Sequence, residues 1–264
     1  MPRKKRAVPK RSGPIVWAID PFEARNAHRA PLAKAVKAVS RGLSARVLPF
    51  SVVSPAGLEW LVPTTAPLAP ELADFGRRAV SRDLKKLHLR DIEKPTIKIA
   101  EHASRRDLVK NVLDFASREH ASLVAVNTRR LLSPLPFKVG GFVESLLGSS
   151  DIPVLAVSPK AKVSPIIRRV LFATDFSRRS KRAFQQALGI THALGAEMVL
   201  FHLDVPIEAP FSYTDVTIGI SEAFIEDAER AAQAHNRRAA RRWLAEASKA
   251  GVRCTLAKGA RGYQ

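Results

Sequence analysis

Cysteine is nearly absent: Cys254 is the single one in 264 residues. One thiol cannot close an intramolecular disulfide, and no Cys/His cluster has zinc spacing, so a disulfide-stapled scaffold and a structural zinc site are both excluded. A reducing, cytoplasmic setting is the expectation. Long apolar runs are missing too, for no uncharged stretch approaches the roughly 18 residues a spanning helix needs. The basic start, Arg3, Lys4, Lys5 and Arg6, is not followed by the apolar segment of a secretory signal, so no membrane partner is expected. Acidic residues are scarce, with 24 Asp and Glu against 44 Lys and Arg, a net charge of +20. Such an excess draws polyanions or anionic ligands without specifying any of them. Neither a Gly-x-Ser-x-Gly elbow nor a Gly-x4-Gly-Lys-Ser/Thr loop occurs, which disfavours the common hydrolases and NTPases. No catalytic residue and no metal ligand is assigned.

Apolar residues are plentiful, at 46%. The length suits one large or two ordinary domains. Residues 1–12 hold six basic side chains and two prolines and read as a disordered tail. The run Ile15-Val16-Trp17-Ala18-Ile19 ends at Asp20 and suits a strand covered on both faces, as in a parallel sheet. A helix is expected over 22–41, with Leu32, Ala35, Val36 and Val39 on its inner face and Gly42 as its stop. A second strand over 45–53 precedes a long loop over 54–70 that carries four prolines, and this loop could cover a site. Helices over 71–89 and 107–119 alternate with strands over 96–100 and 122–126, and a short helix over 141–147 leads to a fifth strand over 153–157.

The pattern then restarts, after a linker over 158–165. Arg169-Val170-Leu171-Phe172-Ala173-Thr174-Asp175 echoes the first strand and its terminal aspartate. Ser177 is placed to cap the next helix, whose inward stripe would be Ala183, Phe184, Ala187, Leu188 and Thr191. A strand over 197–203, a loop over 206–219, a helix over 222–250 and a strand over 253–257 follow. The second copy thus holds three strands where the first holds five. Either the chain is cut short or another surface supplies the missing edge: a domain swap, a dimer, or the 222–250 helix folded across the gap.

Two copies of a five-strand α/β unit, each with a strand ending in Asp and a long loop after the second strand, resemble a tandem universal stress protein. Val170-Leu171-Phe172-Ala173-Thr174-Asp175-Phe176-Ser177 carries the strongest local match. The resemblance implies two Rossmann-like parallel-sheet domains, over 13–160 and 166–264, the second lacking its last two strands. It also implies an adenine nucleotide, ATP or AMP, bound beyond the carboxyl ends of the strands. Nucleotide-binding members carry Gly, two residues, Gly, nine residues, Gly, then Ser or Thr, because backbone N–H groups approach phosphates closely only where side chains are absent. Here Asn127 and Arg130 occupy the first two glycine positions, Gly140 matches the third, and Gly141 replaces the hydroxyl residue. Arg130 could bind phosphate in place of a glycine; the other reading is a decayed pocket. Asp20 in the first half, and Asp175 and Leu203 in the second, match the family's adenosine-side contacts. The fifth strand, Val154 to Val157, would pair with its copy in a homodimer.

Arg237, Arg238, Arg241 and Arg242 share one side of a helix, and with the N-terminal tail they could hold nucleic acid or another polyanion. The plainer reading is a solvated face balanced in part by Glu229 and Glu246. His202 and Asp204, two apart at a strand end, could suit a metal or an acid/base pair, but such a histidine more often packs, and Cys254 reads as inert core. The function expected is a universal-stress-like regulator without turnover that binds ATP or AMP through a degraded glycine loop. The alternative is a basic accessory module that binds nucleic acid or another polyanion.

Overall fold

The structure, a computed structural model, describes residues 13–21, 29–53, 69–85, 91–100, 104–128, 141–203 and 222–259. The expected tail, most of the first long loop, the second long loop, Asp204, Arg130 and Gly140 lie outside the described residues. The chain forms two compact units, Met1–Ile166 and Ile167–Gln264. Among the described residues no helix is long and apolar enough to cross a membrane.

In the first unit, strands β1 (Ile15–Ala18), β2 (Val47–Val53), β3 (Thr96–Ile99), β4 (Leu123–Asn127) and β5 (Val154–Val157) alternate with helices α1 (Ala30–Leu43), α2 (Ala69–Lys85), α3 (Arg105–Arg118) and α4 (Gly141–Ser149). The strands are parallel in the order β3-β2-β1-β4-β5. β1 is central, with Ile15 opposite Val47 on one side and Leu123 on the other. Its residues Ile15, Val16 and Trp17 are almost fully buried, as an uninterrupted apolar strand between two helical layers should be. α3 and α4 cover one face, where Val109, Val112, Phe115, Val143 and Leu146 pack on Val16, Leu48, Phe50, Val124 and Val126. Phe50 stacks on Phe115 with ring centroids 4.1 Å apart. Residues between these point the other way, toward α1 over β4 and β5 and α2 over β2 and β3.

Gly42 does not stop α1. The helix runs on to Leu43, which is buried, and Ser44 at φ 50° closes it, its N–H donating to the Arg41 carbonyl while the Ala45 N–H donates to that of Ser40. Burial of one more apolar side chain outweighs the poor helix propensity of Gly42. α2 likewise begins inside the stretch expected as loop, at Ala69.

The second unit holds β6 (Arg169–Ala173), α5 (Arg178–Leu194), β7 (Glu197–Leu203), α6 (Glu222–Lys249) and β8 (Cys254–Gly259), with sheet order β6-β7-β8. Ser177 caps α5 by accepting the Ser180 N–H, as expected, and Gly195 at φ 62° ends it in the left-handed conformation that glycine adopts without strain. Both helices lie on one face, where Phe184, Leu188, Ala239, Ala240, Trp243 and Ala247 enclose Met198 and Leu200. Ala183 is exposed and stands outside this stripe. α6 therefore does not bridge the gap left by the missing strands: it lies with α5, tied by the Lys181–Glu246 ion pair and by Lys181 Nζ 5.2 Å above the Trp243 ring. Glu246 is thus committed to Lys181 and does not balance the α6 arginines.

The opposite face of this sheet carries Leu171, Val199, Phe201 and Leu203, with Leu171 opposite Val199 and Ala173 opposite Phe201 across β6 and β7. Leu171 is 63% exposed, although its counterpart in the repeat, Val16, is fully buried under α3 and α4. Among the described residues, no helix of the second unit covers this face and no strand pairs with the outer edge of β6.

Candidate functional site

The order of the first sheet reverses at β1, whose two neighbours are reached by connections running in opposite directions. In open parallel sheets such a point leaves a crevice beyond the carboxyl ends of the strands. A cavity of about 390 Å³ opens there. Its floor is Trp17, Ala18, Phe50, Val52 and Val126 at the ends of β1, β2 and β4, and its walls are Leu108 and Val112 of α3 with Phe142 and Val143 of α4. Phe50, Val112, Val126 and Val143 also belong to the packed core, so the cavity opens directly above it. Four polar residues complete the lining: Asp20, Arg29, Arg105 and Asn127.

Each polar group is held differently. Arg29 is 4% exposed, forms an ion pair with Asp83 of α2 and donates to the Asp20 carbonyl at 2.6 Å. This ties Asp20, two residues past β1, to α2, and breaking a buried pair of this kind would leave an uncompensated charge. Asn127 ends β4, and its Oδ1 is buried without a hydrogen-bond partner among the described residues. Gly141 opens α4, and a Cβ at that position would stand 2.5 Å from a terminal nitrogen of Arg105 and 2.6 Å from its guanidinium carbon. Only a residue without a side chain lets Arg105 lie across the start of α4. α3 itself is set by Ser104, whose hydroxyl accepts the Asp107 N–H at 3.2 Å and donates to the Asp107 carboxylate.

Of the residues singled out from the sequence, Asp20, Asn127 and Gly141 come together around this cavity. Arg130 and Gly140 lie outside the described residues. Asp175 and Leu203 belong to the second unit. The Asp175 carboxylate, exposed at the head of α5, accepts from the Ser180 hydroxyl and from the Ser177 N–H at 2.9 Å. The Ser180 hydroxyl, then the Ser177 N–H, lower its pKa to about 2. Leu203 ends β7 and is 37% exposed. His202 packs, as the plainer reading had it: it is buried, its Nδ1 lies 2.8 Å from the Thr174 carbonyl, its Nε2 2.9 Å from Asn236 Nδ2, and its ring rests 4.9 Å from Phe176. Burial pushes the Cys254 thiol up, away from reactive thiolate.

Arg29 and Arg105 were missed in the sequence. The first lies at the end of an unpatterned stretch and the second is one of many exposed-looking basic residues. A glycine opening α4 was the one available signal for Arg105, and it reads equally well as a remnant of the glycine loop. On α6, Arg237, Arg238, Arg241 and Arg242 are all exposed, and among the described residues no ion pair engages them.

Residues 167–260 match the sequence model of the Universal stress protein family. No curated protein matches the chain. Among solved structures, a universal stress protein from Archaeoglobus fulgidus DSM 4304 is similar over 96% of this chain and 80% of its own, with a TM-score of 0.55 and 16% identity. A functionally unknown protein from Pseudomonas aeruginosa PAO1 is similar over 94% of this chain and 75% of its own, with a TM-score of 0.50 and 12% identity. At such identities the likeness is one of fold.

Proposed function

From a second unit that is a universal stress protein domain, and a first unit with the complete five-strand sheet, we propose that this protein is a stress-response regulator that binds an adenine nucleotide, ATP or AMP, in the cavity of its first unit and does not turn it over. The observation that carries the reading is the gathering of Asp20, Asn127 and Gly141 around an apolar cavity at the point where strand order reverses. The purine would lie on the apolar floor, with Asp20 and the orphaned Asn127 Oδ1 as hydrogen-bond acceptors for its amino group or the ribose hydroxyls. Among the described residues, no group beside the cavity is set up as a nucleophile with its base, which accords with a binding role. We assign no second nucleotide site to Asp175 and Leu203, because no helix pair of the second unit stands over them among the described residues.

The test is to denature purified protein, identify any released nucleotide by chromatography, and titrate the ligand-free protein with ATP and AMP by calorimetry. Stoichiometric binding that is lost in Asp20→Ala supports the reading; no nucleotide and no heat in the unaltered protein would end it. We also propose a homodimer through the edge of β5, Val154–Val157, which light scattering would reveal as twice the chain mass.

A second reading is favoured by the four exposed arginines of α6, which no ion pair engages among the described residues and which would hold a polyanion together with the N-terminal tail. Binding to random DNA should then fall steeply from low to moderate salt, with a shallower slope after deletion of residues 1–12 or replacement of Arg237 and Arg241 by Gln. Salt-insensitive binding, or none, would sink it.

A further inference from the structure

The cavity of the first unit has an uneven electrostatic lining. Arg29, its buried guanidinium, is occupied by Asp83 and by the Asp20 carbonyl. Arg105 differs: among the described residues it takes part in no ion pair, and the carboxylate nearest in its own helix turn, that of Asp107, is held by Ser104. Its guanidinium, on an exposed residue, lies over Gly141 beside a cavity whose lining is otherwise apolar except for Asp20, Arg29 and Asn127. A planar cation resting on backbone, with an apolar slot on one side and, among the described residues, no carboxylate paired with it, is arranged to receive an anionic group attached to an apolar or aromatic body.

We propose that Arg105 is the anion anchor of this cavity, taking the phosphate of a ligand whose flat ring lies among Trp17, Phe50, Val126 and Phe142. The proposal rests on the nucleotide reading for the identity of the ring, but it adds a residue and a role. Where a glycine loop would cradle phosphate with backbone N–H groups, this chain has Asn127 and Arg130 in two of the glycine positions. Gly141 does a different job, making room for the guanidinium that replaces them. Arg105 comes from α3, outside the stretch in which the sequence pattern locates phosphate binding.

The experiment is calorimetric titration of the full chain with AMP and with adenosine, for the unaltered protein and for Arg105→Gln, Arg105→Lys and Gly141→Ala, with melting curves to check that each variant folds. Arg105→Gln is expected to weaken AMP about tenfold or more while leaving adenosine within about twofold. Arg105→Lys should restore part of the loss, since the charge returns without the fork. Gly141→Ala leaves every charge in place but pushes the guanidinium from its seat, and should weaken AMP alone. Equal AMP affinity with and without Arg105, or equal losses for AMP and adenosine, would overturn the anchor. If the unaltered protein binds neither compound, the nucleotide reading falls. The anchor is then judged with the anionic dye 1-anilinonaphthalene-8-sulfonate against neutral N-phenyl-1-naphthylamine. Loss of the first alone in Arg105→Gln sustains it, and dye binding indifferent to Arg105, or no dye binding, overturns it.

Discussion

Ser51 Oγ and Asn127 Oδ1 are both buried without a hydrogen-bond partner, but they differ in what surrounds them. Ser51 is 2% exposed in the middle of β2 and does not line the cavity of the first unit, so its hydroxyl carries an uncompensated desolvation cost. Ser51→Ala is expected to stabilise the protein by about 1 kcal/mol, seen as a rise of about 2–4 °C in melting temperature. Ligand binding should be untouched; a fall in melting temperature would mean the hydroxyl has a partner after all. Asn127 faces the cavity, where a bound molecule can satisfy its oxygen. Asn127→Leu is expected to raise the melting temperature of the ligand-free protein while reducing AMP binding, and differential scanning with and without AMP separates the two effects. Asn127 was visible in the sequence as a departure from a glycine pattern. Ser51 gave no signal, because in a strand buried on both faces only the packed neighbours decide whether a serine finds a partner.

At the level of one element, the head of α5 shows how a short sequence can build an acid-sensitive cap. The Thr174 hydroxyl accepts the Phe176 N–H at 2.9 Å, while Asp175 accepts from Ser177 and Ser180. Hydrogen bonds to its charged form depress the Asp175 pKa from 3.8 to about 2. A folded-state value below the unfolded one means that the contribution is present above pH 4 and is lost as pH falls from about 4 to about 2. The carboxylate is exposed, so solvent screening keeps the effect small. Asp175→Asn is expected to melt lower than the unaltered protein at pH 6, with the two curves converging near pH 2. A gap that stays constant across that range would exclude the cap. Ser177 as the capping residue was legible from its place before an apolar stripe. Ala183 misled because its spacing fits the stripe, yet the helix turns Phe184, Leu188 and Thr191 inward, the larger side chains claiming the buried arc.

Across the whole molecule, two sheets begin from related sequences and end in different surroundings. Phe184 is fully buried and stacks on Trp243 with ring centroids 4.6 Å apart, so Phe184→Ala is expected to cost about 3–5 kcal/mol and to unfold the second unit early in denaturant. Leu171 lies on the uncovered face, and Leu171→Ser should change stability by no more than about 0.5 kcal/mol. A large loss there would mean that something covers the face in solution. The alternating strands and helices, the repeat, the aspartates closing β1 and β6, and the Ser177 cap were all set by the sequence, because periodicity and capping act over a few neighbouring residues. Tertiary structure alone decided that Arg29 pairs with Asp83, that Arg105 lies across Gly141, and that Leu171 is exposed where Val16 is buried. A hydrophobic pattern states which face of a strand seeks cover, but what stands opposite depends on residues far along the chain.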